Sequence, residues 1–140
     1  MKQNYILDID NICILAEDIL REFRDGVIIL QGDLAAGKTT LVKAIAKKTG
    51  CDDEVTSPTF SLQHCYGHDL FHYDIYNHGV EHFISVGMLE ELEKDGLHLV
   101  EWGDEKLIDI LQNAGIDTIV IEIKKNTDNT REYRVKHAHT

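Results

Sequence analysis

The stretch Gly32-Asp33-Leu34-Ala35-Ala36-Gly37-Lys38-Thr39 fits the pattern G-x-x-x-x-G-K-[ST], and its neighbours give the pattern the setting it needs. Upstream, Val27-Ile28-Ile29-Leu30 is a short β-branched apolar run bounded by Asp25-Gly26, which reads as a buried strand. Downstream, Leu41, Val42, Ala44, Ile45 and Ala46 recur at helical spacing between Lys38 and Lys48, and Gly50 supplies a stop. Strand, glycine loop and helix in that order predict a phosphate cradle. An accidental match to the pattern arises in roughly one in a few hundred chains of this length, and the correct flanks lower that further.

Each residue type in the loop has its own task. Gly32 and Gly37 permit backbone angles and a close approach that a Cβ obstructs, so the N–H groups along Asp33, Leu34, Ala35, Ala36 and Gly37 can turn inward around an anion. The following helix adds the partial positive charge of its N-terminus. Lys38 can reach β- and γ-phosphates as a point charge, the Thr39 hydroxyl suits a Mg²⁺ bridging the same oxygens, and Thr40 offers a second hydroxyl nearer the α-phosphate.

The chain has 140 residues, the usual size of one domain, with 43% hydrophobic and 28% charged residues. No apolar run approaches membrane-spanning length, and with no long apolar core after Met1 to Tyr5 a secretory signal is not expected. Cys13, Cys51 and Cys65 are odd in number and widely spaced, which argues against a disulfide framework or a zinc pattern and for reduced thiols in the cytoplasm. The histidines at 64, 68, 72, 78 and 82 lack a tight ligand set and read as solvated or structural. Fourteen basic against twenty-five acidic residues give a net charge of −11, which opposes tight unaided binding to a nucleic-acid backbone. Arginine occurs only at positions 21, 24, 131 and 134. Phosphoryl transfer commonly relies on an arginine to neutralise transition-state charge. Slow hydrolysis by the isolated chain is therefore expected, unless a partner donates that cation or the C-terminal strand brings in Arg131 or Arg134.

The remaining pattern predicts an edge strand at 4–7 and a helix capped by Asp10 or Asn11 running to Phe23, with Ile12, Ile14, Leu15, Ile19, Leu20 and Phe23 inward. Strands are expected at 59–66 and 70–73 around a Gly67 turn, at 97–100, and at 118–123 and 132–135 around the turn Asn126 to Asn129. Helices are expected at 87–92 and 104–112. The fold class is α/β, a single-domain P-loop NTPase over residues 1–140, with a mixed sheet flanked by helices and an antiparallel portion at one side.

Ligands in such sheets gather at the carboxyl ends of strands, where three places stand out. Asp74 and Glu101 each end an apolar strand, and either can hold Mg²⁺ or orient the attacking water; a solvated acid at a strand end is the competing explanation. Trp102, the sole tryptophan, directly follows Glu101 and is otherwise a core aromatic. Val55-Thr56-Ser57-Pro58-Thr59-Phe60 can sense a γ-phosphate or form a plain turn.

GDLAAGKTT at 32–40, VTSPTFSL at 55–62, HYDIYN at 72–77 and EWGD at 101–104, in this order and spacing, resemble the TsaE (YjeE) family of small bacterial P-loop ATPases. The resemblance implies a role in making threonylcarbamoyladenosine beside the tRNA anticodon, with the ATPase joining TsaB and TsaD and hydrolysing ATP to support turnover by TsaD. By position it implies Lys38 and Thr39 on phosphates and Mg²⁺, Glu101 as a Mg²⁺ carboxylate, Asp74 assisting hydrolysis, Thr59 in a switch-like loop and Trp102 near the nucleotide. tRNA is then met only indirectly, through the complex. Two departures stand out: Ala35 replaces the family's usual Gly, and Asn77 stands where the family typically carries Arg.

Two other classes share the loop. A small-molecule kinase generally needs cations around its acceptor and a closing lid, which the arginine-free stretch disfavours. A GTP switch needs a guanine-reading N-K-x-D, which the order Lys125-Asn126-Thr127-Asp128 does not supply. A nucleotide-sensing module without turnover follows if Asp74 and Glu101 are misplaced.

Overall fold

In the computed structural model, which describes residues 1–33, 36–50, 63–67, 69–77 and 79–137, the apolar run at 26–31 is the middle of the protein. This strand, β2 (Gly26–Gln31), lies third from one end of the parallel core of a seven-stranded sheet ordered β1-β7-β6-β2-β5-β4-β3. The others are β1 (Asn4–Leu7), β3 (Gln63–Tyr66), β4 (Leu70–Asp74), β5 (Leu97–Glu101), β6 (Thr118–Lys125) and β7 (Arg131–His137). Strands β6, β2, β5 and β4 run parallel, while β3 pairs antiparallel with β4, and β7 with both β6 and β1. Antiparallel pairing thus closes both flanks of the parallel core, not one.

Alternation along β2 sorts the two sides of the sheet. Ile28 and Leu30 face the core shared with helices α1 (Cys13–Glu22) and α2 (Lys38–Lys48), where Leu15, Ile19, Leu41 and Ile45 meet them. Val27 and Ile29 face the opposite core, formed with α3 (Gly79–Ser85), α4 (Met88–Glu91) and α5 (Glu105–Asn113) through Phe83, Leu107 and Leu111. A strand covered on both faces must be apolar throughout, which is why 27–30 shows no polar alternation. Each fully buried Ile or Leu contributes about 1.5–3 kcal/mol.

Helix α2 and the hairpin β3–β4 match the sequence expectation, the latter within its described residues. The first helix starts later. Asp8, not Asp10 or Asn11, caps a short 3₁₀ turn at Ile9–Asn11, and the α-helix proper begins at Cys13. Its inward stripe is Ile12, Leu15, Ala16 and Ile19; Ile14, expected inward, falls off that stripe and is 43% exposed. Helix α3 is an addition to the expected elements. Among the described residues no helix is long and apolar enough to cross a membrane.

One polar clamp ties β1 to α1. The Tyr5 hydroxyl donates to Asp18 Oδ2 at 2.6 Å and accepts from the Lys2 N–H at 2.9 Å, while Arg21 also pairs with Asp18. Burial, and then the Asp18 carboxylate, push the Tyr5 hydroxyl up to about 12, and the same hydrogen bond holds Asp18 below the ordinary carboxylate range. A depressed carboxylate stabilises the fold above its unfolded-state value, near 3.9, and loses that contribution as pH falls through the lower folded value. Tyr5→Phe is therefore expected to cost about 2 kcal/mol at pH 7, with the gap from the parent closing in strong acid. Urea unfolding at both pH values checks this.

Candidate functional site

Three strands deliver the site. The loop at 32–37 leaves the end of β2 and enters α2, while β4 and β5 end beside it in parallel register, with Asp74 opposite Glu101 and Glu101 opposite Leu30. Backbone pairing continues past the strand ends: the Ile75 N–H donates to the Glu101 carbonyl at 3.3 Å and the Trp102 N–H to the Leu30 carbonyl at 3.0 Å.

Both glycines of the loop are there for conformation and space. Gly32 has φ +151°, and a Cβ on it would stand 2.6 Å from the Ile123 carbonyl oxygen. Gly37 has φ +111°, caps α2, and lies so close to Arg131 that a Cβ would meet its Cδ and Nε at 3.1 Å. Between them the Ala36 N–H donates to the Asp33 carbonyl at 3.0 Å, and Ala36 is buried while Asp33 is exposed.

Lys38 is only 4% exposed. Its ammonium donates to the Gly32 and Asp33 carbonyls at 2.8 and 2.9 Å and sits 3.8 Å over the ring of Trp102. Burial pulls its pKa below the usual lysine value, against the attraction of Glu101, Asp74 and Asp33. Beside it the Thr39 hydroxyl donates to Glu101, with Oγ1 3.0 Å from each carboxylate oxygen. This all-oxygen set suits a small hard cation such as Mg²⁺. Thr40 lines a cavity of about 530 Å³ with Ile9, Ile12, Cys13 and Lys43, between the start of α1 and α2.

Of the two acids, Glu101 is the one on Thr39. It is 3% exposed and also accepts from His72 Nε2 at 2.5 Å. Asp74 is half-buried, which raises its pKa, and its Oδ1 accepts the Tyr76 N–H at 3.0 Å in a tight turn.

The segment Glu101-Trp102-Gly103-Asp104 reads residue by residue. Trp102 has φ +71°, the left-handed region that non-glycine residues enter at a cost. That turn lays its ring between Lys38 and Tyr76, whose ring centroid is 4.6 Å away. Gly103 passes Ile29 so closely that a Cβ would stand 2.7 Å from its Cγ2, and Asp104 caps α5 by accepting the Leu107 N–H at 3.0 Å.

The structure thus brings together Asp33, Ala36, Gly37, Lys38, Thr39, Asp74, Glu101 and Trp102, with Thr40 on the adjoining cavity. Leu34, Ala35 and Thr59, with the whole stretch 55–60, lie outside the described residues. Asn77 is exposed in the turn after β4. Sequence assigns no site role to two further participants, His72 and Tyr76, and names a third, Arg131, only conditionally. His72 is the structural one of the two alternatives read from sequence, a buried partner of Glu101; its place two residues before Asp74 on a strand puts both on one face. Tyr76, 50% exposed, extends the Lys38 and Trp102 stack outward. Arg131, one of two arginines left open above, reaches the loop at Gly37, so the site lacks arginine in sequence but not in space. Its Nε is buried and unpartnered among the described residues. Arg134 instead pairs with Glu132 at 3.1 Å.

A glycine loop between β2 and α2, a lysine on its carbonyls and a hydroxyl on a strand-end carboxylate define a protein of the P-loop NTPase type. The chain belongs to the TsaE family: residues 8–133 match the family model described as threonylcarbamoyl adenosine biosynthesis protein TsaE. It is 36% identical over 112 residues to the tRNA threonylcarbamoyladenosine biosynthesis protein TsaE of Treponema pallidum, spanning 78% of this chain and 80% of the relative. Identity to the protein of that name from Aquifex aeolicus is 36% over 128 residues, spanning 86% and 85%. The crystal structure of YdiB from Bacillus subtilis shares the fold with a TM-score of 0.68 at 25% identity, covering 96% of this chain and 84% of that one. The family and fold class expected from sequence are both met.

The left-handed Trp102 gives a stability test. Trp102→Ala keeps a Cβ in the strained conformation, whereas Trp102→Gly relieves it; both lose the ring. The glycine variant is expected to be the more stable by about 1–2 kcal/mol in urea unfolding, the reverse of the usual order.

Proposed function

We propose that residues 1–140 act as one Mg²⁺-dependent ATPase domain that supports threonylcarbamoyl transfer to tRNA, working with TsaB and TsaD in the cytoplasm. The observation that carries the reading is the meeting of Lys38, Thr39 and Glu101 at the ends of β2 and β5, with Thr39 Oγ1 3.0 Å from both Glu101 oxygens. Family membership supports the tRNA-modification context.

In this reading the loop N–H groups and Lys38 bind the β- and γ-phosphates, Lys38 exchanging its carbonyl partners for phosphate oxygens. Thr39 and Glu101 would hold Mg²⁺, which when bound neutralises charge on the phosphate oxygens. Asp74, beside Glu101, orients the attacking water. Its raised pKa, caused by burial, marks a carboxylate kept at the reacting end of the sheet at a cost in stability. Thr40 and its cavity receive the nucleoside end, and Trp102 closes the ring side of Lys38. Thr59 belongs to a switch segment contacting the γ-phosphate. Arg131 is the chain's own arginine at the loop, and a partner protein completes the cationic surroundings of the phosphates, which makes the isolated chain slow. The net charge of −11 fits a subunit that meets tRNA through its complex and not by direct contact.

ATP hydrolysis measured alone and with TsaB and TsaD tests this. Partner stimulation is expected, with Lys38→Ala lowering turnover about 10²–10³-fold. Glu101→Ala is expected to spare metal-free nucleotide binding and lose the Mg²⁺ dependence of hydrolysis. Equal turnover with and without partners, or a Glu101→Ala variant with parental Mg²⁺ dependence, contradicts the assignment.

Asp74 gives a second test with its own sign. A carboxyl whose folded pKa is raised binds its proton more tightly in the folded state, so it costs stability as pH rises through that value. Without nucleotide, Asp74→Asn keeps the acceptor for Tyr76 and is expected to melt above the parent at pH 7 but not at pH 3, while losing hydrolysis. Calorimetry at the two pH values reads the difference.

A further inference from the structure

Among the described residues two histidines are buried on neighbouring strands, His72 on β4 and His98 on β5, and they are built differently. His98 is satisfied at both nitrogens: Nε2–H donates to the Lys94 carbonyl at 2.8 Å, and Nδ1 accepts from the Tyr73 hydroxyl at 2.7 Å. Tyr73 in turn accepts from Gln63, and Phe71 stacks on the His98 ring. Every polar atom of that ring is accounted for inside the sheet, as a structural histidine requires.

His72 has one hydrogen bond, to Glu101 Oε2 at 2.5 Å, while its Nδ1 is buried and has no partner among the described residues. A carboxylate oxygen only accepts, so Nε2 carries the proton of this bond. A ring kept for packing alone is better made of carbon, because an unpaired nitrogen in the interior costs free energy that a phenyl ring does not. What offsets the cost is the contact at the other nitrogen.

Glu101 needs that contact. The torsion that turns a glutamate carboxylate is broad, and Thr39 has a single hydroxyl proton shared between two oxygens equally far away. One shared proton does not fix the carboxylate plane; a second donor on one oxygen does. We infer that His72 is a positioning residue: its Nε2–H locks the rotation of the Glu101 carboxylate and so sets which oxygen lone pairs face a cation beside Thr39. This rests on the reading of Thr39 and Glu101 as the Mg²⁺ ligands. Hydrogen bonds of this kind behind a ligand commonly change metal affinity 10–100-fold when removed.

The test separates metal from nucleotide. ADP binding in EDTA is measured by calorimetry, and Mn²⁺ binding in saturating ADP by electron paramagnetic resonance, for the parent, Glu101→Gln, His72→Leu and His72→Gln. The glutamine is the informative variant, because its amide N–H can take the place of Nε2–H. The expected result is that His72→Leu weakens Mn²⁺ about 10–100-fold with ADP affinity in EDTA unchanged, and that His72→Gln recovers Mn²⁺ binding to within about threefold of the parent. Parental Mn²⁺ affinity in His72→Leu, alongside a loss in Glu101→Gln, overturns the inference and leaves the metal reading standing. Equal losses of Mn²⁺ and metal-free ADP binding in both His72 variants also overturn it, showing a packing role. Parental Mn²⁺ affinity in Glu101→Gln, or none in the parent, removes the metal reading and the inference with it.

Discussion

A lysine buried to 4% exposure is the constraint around which the carboxyl end of the sheet is organised. An ammonium taken out of water has to find donors' counterparts at fixed distances, and the chain supplies them from three directions. Two carbonyls come from the loop's first turn, an aromatic face comes from Trp102, and carboxylates come from the ends of β4 and β5. Each supply line imposes its own local geometry. The carbonyls at Gly32 and Asp33 turn inward only because Gly32 adopts a positive φ against Ile123. The ring reaches Lys38 only because Trp102 leaves β5 left-handed, and the chain then clears Ile29 only because residue 103 has no side chain.

The same arrangement explains how much could be read beforehand. The loop, α2 and the flanking strand were legible because their signals are local: an apolar run, glycines at fixed separation, a helical period. The carboxylates are legible as strand ends; their residue types leave Asp74 and Glu101 equal, the family resemblance separates their roles, and which of them meets Thr39 depends on a register between strands far apart in sequence. Arg131 shows the limit plainly. It lies over ninety residues from Gly37 and meets it because β7 pairs with β6. A histidine count says nothing about burial, so the sequence does not set buried His72 apart from exposed His82. Helix α3 is faint in sequence because Gly79–Ser85 is two turns long, opens on glycine and has mostly weak helix formers, with Val80, Phe83 and Ile84 marking a face; packing against Tyr73 and Leu92, not propensity, holds it. Ile14 departs from expectation for the opposite reason: its type points inward, but the helix starting at Cys13 rotates it outward.

Two of the ring stacks among the described residues divide along lines of solvent. Phe71, His98 and Tyr73 stack inside the sheet with every polar atom satisfied. Lys38, Trp102 and Tyr76 form a stack that begins at a buried cation and ends on an exposed ring. The first is a packing solution; the second gives the phosphate loop a path of contacts to the surface.

The pairing that runs beyond the nominal strand ends has a further meaning. Because the Ile75 and Trp102 amides are bonded to the backbones of β5 and β2, the residues carrying Asp74 and Glu101 belong to the ladder itself and not to loops hung from it. Loops fray separately from a core; ladder residues open only with it. The acidic half of the site is therefore as durable as the central sheet. Its spacing is inherited from the 4.7–4.9 Å repeat common to all sheets, about the width of one strand. The carboxylate wall therefore moves with the sheet, and the side-chain torsions of Asp74 and Glu101 are the freedom left to it.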